Sequence, residues 1–254
     1  MAAPRPVTLI TGASAGLGAE FARQCAARGD EIVLVARRRD RLDALAREIG
    51  PQAHVIEADL GEAEAPARVV AETKRRGLWV RTLINNAGFG LAGRFDDIPL
   101  DRQLGMIELN IRALTGLSYI ALEDMRRHGG GAILNVASTA AFQAGPHMAV
   151  YYASKAYALS LTEALHQELK GSGIAVTALC PGPTATEFFD VAGAPDGRLA
   201  KMATDPVAVV RAGLDGLARN KAIVVPGLMN KVGSQSNRLL PRAAMRRIIA
   251  RLKA

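Results

Sequence analysis

The chain has 254 residues, 49% of them hydrophobic, which is enough for one well-buried domain. Its net charge is +8, but eight of the 32 basic residues lie after Asn220, where no acid occurs; the remainder balances 24 basic against 24 acidic residues, which argues against a nucleic-acid-binding face on the core. No apolar run reaches the ~18–20 residues of a membrane span, and four unpaired histidines with two cysteines offer neither a metal site nor a disulfide framework.

Met1–Pro6 leads straight into a strand pattern with no signal-peptide core, so a cytoplasmic chain is expected. Cys25 and Cys180 read as buried thiols in a reducing compartment. Val7–Ile10 is a short strand, followed by Thr11-Gly12-Ala13-Ser14-Ala15-Gly16-Leu17-Gly18 and a helical pattern through Arg28. Glycines in such a turn let the backbone approach a phosphate at the helix N-terminus, where free N–H groups and the dipole favour an anion. Glu31–Ala36 is the second strand. An acid at its end suits the ribose 2′-hydroxyl of NAD, whereas arginine suits the 2′-phosphate of NADP. Here stand Arg37, Arg38 and Arg39 with no carboxylate before Asp40. The reading is an NADP(H) site with Arg37 as first contact and Arg38 as second, the others opening the wet face of a helix over 38–48.

Ala53–Glu57 is the third strand, ending in Ala58-Asp59-Leu60, and a helix follows over 62–76. Arg81–Ile84 is the fourth strand, ending Asn85-Asn86-Ala87-Gly88, residues that allow a tight turn beside a ligand. The stretch 101–127 reads as one long helix that places Asn110 among apolar neighbours. A buried Asn must be hydrogen-bonded, and the pattern alone leaves structural and functional roles open. Ala132–Ala137 is the fifth strand, with Ser138 at its end, and Gly173–Leu179 the sixth, ending in Cys180-Pro181-Gly182-Pro183-Thr184-Ala185-Thr186. A helix over 206–218 and a last strand over 222–225 complete the alternation. Strands alternating with helices at this spacing imply an α/β fold with a doubly wound parallel sheet.

Between the fifth and sixth strands a helix carries Tyr151 and Lys155, four residues apart and hence on one face. Free tyrosine titrates near ~10. A cation ~4 Å away at an effective dielectric of ~20 favours the phenolate by up to ~4 kcal/mol, so the pair is expected to give a proton donor that works near neutrality. Ser138 ends a strand at the edge where open α/β sheets bind ligands, so the three side chains are expected to meet around a carbonyl or alcohol oxygen.

Taken in order, Thr11–Gly18, Asp59, Asn85–Gly88, Asn110, Ser138, Tyr151-x-x-x-Lys155 and Pro181-Gly182 resemble the short-chain dehydrogenase/reductase family over most of the chain. The resemblance implies a single-domain Rossmann fold. It makes Tyr151 the general acid/base, Ser138 the holder of the substrate oxygen, Lys155 the group that lowers the tyrosine pKa and bonds the nicotinamide ribose, and Asn110 the anchor of a proton-relay water. It places Gly12, Ser14, Gly16, Leu17 and Gly18 along the cofactor phosphates and ribose. Asp59 and Leu60 fall at adenine, Asn86, Ala87 and Gly88 on the adenosine side, and Pro181, Gly182, Thr184 and Thr186 at the nicotinamide. Ala15 stands where NADP-preferring relatives often carry a basic residue, so 2′-phosphate binding rests on Arg37 and its neighbours.

The activity so implied is NADP(H)-dependent hydride transfer between the nicotinamide and a carbonyl or secondary alcohol. Phe89, Leu91, Phe95, Phe142, Met148, Phe188 and Phe189 suggest an apolar pocket for a ketone, aldehyde or 3-oxoacyl substrate. Residues 187–204 read as a substrate flap, and residues 230–254 as a basic amphipathic C-terminal extension of the single domain. In that extension Met245, Ile248, Ile249 and Leu252 make one apolar stripe. The stripe is expected to pack on the domain or on a second copy, a homodimer, with peripheral contact to an anionic membrane as the weaker option. Sugar-nucleotide epimerases share the Tyr-x-x-x-Lys pair but need a larger C-terminal domain. A dinucleotide-binding regulatory protein without turnover is the alternative from another class, and it would have been free to lose Ser138, Tyr151 or Lys155.

Overall fold

The computed structural model describes residues 3–188, 192–193, 203–239 and 241–253, without the side chains of 236–239, 248 and 251–253. Seven strands, β1 (Arg5–Thr11), β2 (Ile32–Ala36), β3 (Ala53–Glu57), β4 (Leu78–Asn85), β5 (Gly131–Val136), β6 (Ile174–Leu179) and β7 (Ile223–Val224), form one sheet in the order β3-β2-β1-β4-β5-β6-β7. Every pairing is parallel. Among the described residues the α-helices are α1 (Gly16–Ala27), α2 (Arg39–Ile49), α3 (Ala65–Arg75), α4 (Leu100–Ile107), α5 (Leu114–Arg127), α6 (Ala149–Glu168), α7 (Pro206–Ala218), α8 (Leu228–Leu239) and α9 (Arg242–Lys253).

Strand residues alternate between two cores. Val33 and Val35 face a cluster completed by α3 and α5, through Val69, Val70, Leu117, Ala121 and Met125. Ile32, Leu34 and Ala36 face the other, where α1, α2 and α7 contribute Phe21, Leu42, Val209 and Val210. Burial on both faces is why β2 reads as an uninterrupted apolar run rather than an alternating one. The order of the sheet reverses between β1 and β4, and that switch point opens a crevice at the carboxyl edge of the strands. The glycine turn, Arg37, Asp59, Asn86, Ser138 and Pro181 all follow strand ends on this edge.

Besides shifts of up to three residues at other element ends, such as β1 and α3, three differences from the sequence reading stand out. β4 begins at Leu78, because Leu78 and Val80 supply buried side chains ahead of the predicted start. The expected long helix is three segments, α4, a π-helical turn over Glu108–Ala113, and α5. The C-terminal extension is two helices, α8 and α9, where the apolar stripe pointed only to the second. Of that stripe, Met245 and Ile249 are buried against the chain's own fold, while the side chains of Ile248 and Leu252 lie outside the described residues. Most of the expected flap, 189–191 and 194–202, also lies outside them. No helix among the described residues is long and apolar enough to cross a membrane.

The chain's one tryptophan, Trp79, stands at the start of β4 and stacks on His128 at the end of α5, with ring centroids 4.1 Å apart and planes 10° from parallel. Both cysteines are free and buried, and burial pushes each thiol up to about 12.

Candidate active site

A cleft of about 560 Å³ runs along the carboxyl edge of the sheet. Its floor at one end is the β1–α1 turn. Gly12 adopts φ +66, and a Cβ there would lie 2.9 Å from the Cα of Ala87; a Cβ on Gly18 would lie 2.1 Å from the Gly12 carbonyl oxygen. Only glycine lets the turn fold this tightly against α1. The turn is fastened from the next strand. Asn86 Nδ2 donates to the Thr11 carbonyl at 2.9 Å, and Thr11 Oγ1 accepts from the backbone N–H groups of Asn86 and Ala87, both at 2.9 Å. α1 has no side-chain cap and no acid in its first turn, so its first N–H groups and dipole are left for an anion in the cleft.

The end of the cleft expected to take adenosine carries three arginines and two carboxylates, Arg37, Arg38, Arg41, Asp59 and Glu187. Arg38 Nε and Nη2 donate to Ser14 Oγ at 3.2 and 3.1 Å, and Nη1 to Glu187 at 3.1 Å. Arg37, predicted to come first, is 72% exposed and leans toward Asp59 at 3.8 Å. Asp59 also accepts from the Gly61 N–H at 2.9 Å. The geometry thus puts Arg38 nearest the glycine turn, because it immediately precedes α2 and reaches back across Ser14. Leu60, Ala87 and Gly88 line the same wall.

At the other end Ser138, Tyr151 and Lys155 line the cleft together. Ser138 Oγ caps the short 3₁₀ turn Thr139–Phe142, accepting from Ala140 N–H at 3.1 Å, and lies 3.4 Å from the Pro181 carbonyl. Lys155 Nζ donates to the Val136 carbonyl at 2.8 Å and stands 5.9 Å from the Tyr151 ring centroid. Asn110 does not line the cleft itself. It projects from the π-helical turn, donates to the Phe89 carbonyl at 2.9 Å and to Ser154 Oγ at 3.0 Å, and accepts from the Phe89 N–H at 3.1 Å. Single π turns are frequent beside functional sites because the extra residue re-aims a side chain. Pro181, Gly182, Thr184 and Thr186 close the cleft above, with Thr186 against Gly16.

The electrostatics correct one expectation. Burial pushes Tyr151 up to about 12, with the hydrogen bond from Ser138 working against it and Tyr152 adding slightly. Burial also pulls Lys155 down to about 8, Cys180 opposing weakly. The Tyr151 hydroxyl is therefore not brought toward neutrality here, and burial is the largest cause. The Lys155 ammonium is held on a backbone carbonyl, and loss of hydration is the largest cause at both groups.

The substrate end is apolar. Phe89, Met148, Tyr152, Phe188 and Ile249 line it, and Leu91 and Met106 pack behind. Of the other expected pocket residues, Phe95 is exposed, Phe142 packs in a separate cluster with Leu159 and Cys180, and Phe189 lies outside the described residues. Sequence reasoning missed Ile249, which α9 brings from far along the chain; Ser154, three residues from Tyr151; and Glu187 with Arg41, joined at 2.6 Å. It also missed a buried chain beneath the site, Asn85 to Asn135 and Asn135 to Thr162, both at 2.9 Å. Asn135 was legible as a polar residue inside an apolar strand.

A doubly wound sheet with a glycine turn at the switch point, and a serine, tyrosine and lysine gathered at its carboxyl edge, is the architecture of a dinucleotide-dependent oxidoreductase. Residues 6–195 match the short chain dehydrogenase family. The chain is 37% identical over 186 residues to sulfoacetaldehyde reductase 2 of Chromohalobacter salexigens, covering 72% of this chain and 74% of that enzyme. It is also similar to a short-chain dehydrogenase from Sphingobium yanoikuyae solved with NADPH, at 34% identity and TM-score 0.80 over 92% of this chain and 94% of the other. A 7β-hydroxysteroid dehydrogenase superposes with TM-score 0.87 at 27% identity, over 97% and 96% of the two chains. The chain belongs to the short-chain dehydrogenase/reductase family, and its cofactor class is the nicotinamide dinucleotides.

Proposed function

We propose that this chain is an NADP(H)-dependent carbonyl reductase acting on an apolar ketone, aldehyde or 3-oxoacyl compound. The observation that carries the reading is the placing of a buried tyrosine hydroxyl and a serine hydroxyl where an apolar pocket meets the cofactor cleft. With Tyr151 pushed up to about 12, its hydroxyl keeps its proton at neutral pH and is set to give it to a substrate oxygen. Ser138 donates a second hydrogen bond to that oxygen and stabilises the negative charge developing there. Lys155, held by the Val136 carbonyl, keeps a positive charge beside the phenol for most molecules below pH 8. Asn110 fixes the Phe89 backbone and Ser154, and so the wall that holds Tyr151. When bound, the nicotinamide supplies the hydride.

The glycine turn and the open N-terminus of α1 fit a pyrophosphate, and Arg38 with Ser14 fits the 2′-phosphate. Exposed Tyr119 on α5 and Tyr157 on α6 suit the face of a homodimer. Sedimentation velocity tests that assembly, and a monomer at micromolar concentration rejects it. A panel of carbonyl and alcohol compounds, read by NADPH fluorescence, tests the activity. Turnover of apolar ketones or aldehydes is expected; tight NADPH binding without turnover of any class would mean a binding protein instead.

A further inference from the structure

The carboxylate of Glu187 is shared by two guanidinium groups from the start of α2. Oε2 accepts from Arg38 Nη1 at 3.1 Å, and Oε1 accepts from Arg41 Nη1 at 2.6 Å. Arg41 is the third residue of α2, and Arg38, which precedes the helix, is the residue that also holds Ser14 of the glycine turn. Glu187 thus brings a negative charge from the segment after β6 to the rim of the cleft where the adenosine ribose would be read. The arginines hold its carboxyl below the usual carboxylate range, Arg41 more than Arg38, so the group is charged at neutral pH.

A phosphate monoester seeks the same donors as a carboxylate, with more charge. Two anions cannot both take the Nη1 face of Arg38 without mutual repulsion. A 2′-hydroxyl asks for no such exchange. We propose that Glu187 is a selectivity residue, whose carboxylate competes with the cofactor 2′-phosphate for Arg38 and so holds down affinity for NADPH without affecting NADH. The proposal rests on the NADP(H) reading above. Arg41 gives the displaced carboxylate a second partner, which keeps the competition local and reversible. Of the neighbours of Glu187, Thr186 lies against Gly16 of the glycine turn, and the ring centroid of Phe188 is 5.2 Å from that of Tyr151.

The test uses the full chain with E187Q, which keeps length and polarity but removes charge, and E187D, which keeps the charge. NADPH and NADH are titrated by their own fluorescence, and 2′,5′-ADP and 5′-AMP by calorimetry. In E187Q, NADPH and 2′,5′-ADP should bind about three- to tenfold tighter, the scale of one or two exposed ion pairs, with NADH and 5′-AMP unmoved and E187D near wild type. Unchanged or weaker NADPH binding in E187Q overturns the assignment. So does an equal shift of all four ligands, or an equal change in E187D, either of which marks a packing effect. If the wild type binds NADH as tightly as NADPH, the NADP(H) reading fails and this proposal with it. If the wild type prefers NADPH and E187Q leaves the ratio alone, only the role of Glu187 falls.

Discussion

The two ends of the cleft are built on opposite principles. At the adenosine end, Arg37, Arg38, Arg41, Asp59 and Glu187 meet in exposed ion pairs. Such pairs are worth roughly 0–1 kcal/mol each and exchange partners at little cost. At the catalytic end, Asn110, Ser154 and Lys155 are buried, and each has a hydrogen-bond partner at 3.0 Å or less. An unpaired group there costs about 1–3 kcal/mol. On the reading proposed above, cofactor choice would be adjustable by single surface substitutions, whereas the residues proposed to transfer the proton would tolerate few.

Breaking the catalytic end should give the largest effect. Tyr151→Phe keeps the ring and removes the proton, and kcat should fall by about 10²- to 10⁴-fold. NADPH binding, followed by nucleotide fluorescence, should stay close to wild type. Tyr152→Phe should be far milder, since adjacent helix residues point about 100° apart; the reverse order would refute the assignment of Tyr151.

At the adenosine end the effect should be smaller and confined to one ligand. Arg38→Gln should weaken NADPH by about tenfold and leave NADH nearly unchanged, the value of a charge-assisted contact reduced by exposure. Arg37→Ala should cost less, because Arg37 is the more exposed and stands further from the glycine turn. Parallel titrations of the two variants decide the order.

The third expectation sharpens the contrast through pH. Lys155 is lowered from 10.5 to about 8, so in this window the unfolded chain binds the extra proton and the folded chain does not. Burial of Lys155 therefore costs stability at low pH, and the cost is relieved as pH rises from about 8 toward 10.5. The stability difference between wild type and Lys155→Met, from urea unfolding, should move in favour of wild type by about 1 kcal/mol between pH 8 and 9. Taking the difference cancels the opposing titration of the two cysteines. A flat difference would show that Lys155 is not desolvated as the geometry indicates.

The smallest effect belongs to the wall supplied by α9. Ile249→Ala should change KM for bulky ketones by about threefold, with kcat for small ones unaltered, the scale of a few methyl groups in an apolar pocket. Equal behaviour toward all sizes would remove α9 from the substrate end.

What the sequence disclosed follows the same division. Local chemistry was readable: glycines mark the turn after β1, a β-branched run marks β2, and Tyr151 with Lys155 share a helix face by spacing alone. Contacts that depend on long-range closure were not. The apolar stripe of α9 was visible, but nothing in it says that Ile249 meets Tyr152 and Phe188. The π turn was hidden because Glu108–Ala113 keeps helical composition, and its extra residue shows only once Asn110 is seen on Phe89 and Ser154. The sign at Tyr151 was misread because spacing gives the distance between two groups and not the hydration both lose.

Trp79 decides what light can report from this molecule. It is the chain's single indole, and it sits at the opposite edge of the sheet from Asn85 and the cleft, about 20 Å away at ~3.3 Å per residue of strand. Its stack on His128 ties its emission to the seam between β4 and α5. Quenching of that emission by a reduced dinucleotide would travel as energy transfer through the sheet, without contact at the ring. A change of emission on heating would mark the parting of α5 from β4, and would stay silent about whether the far edge had already loosened.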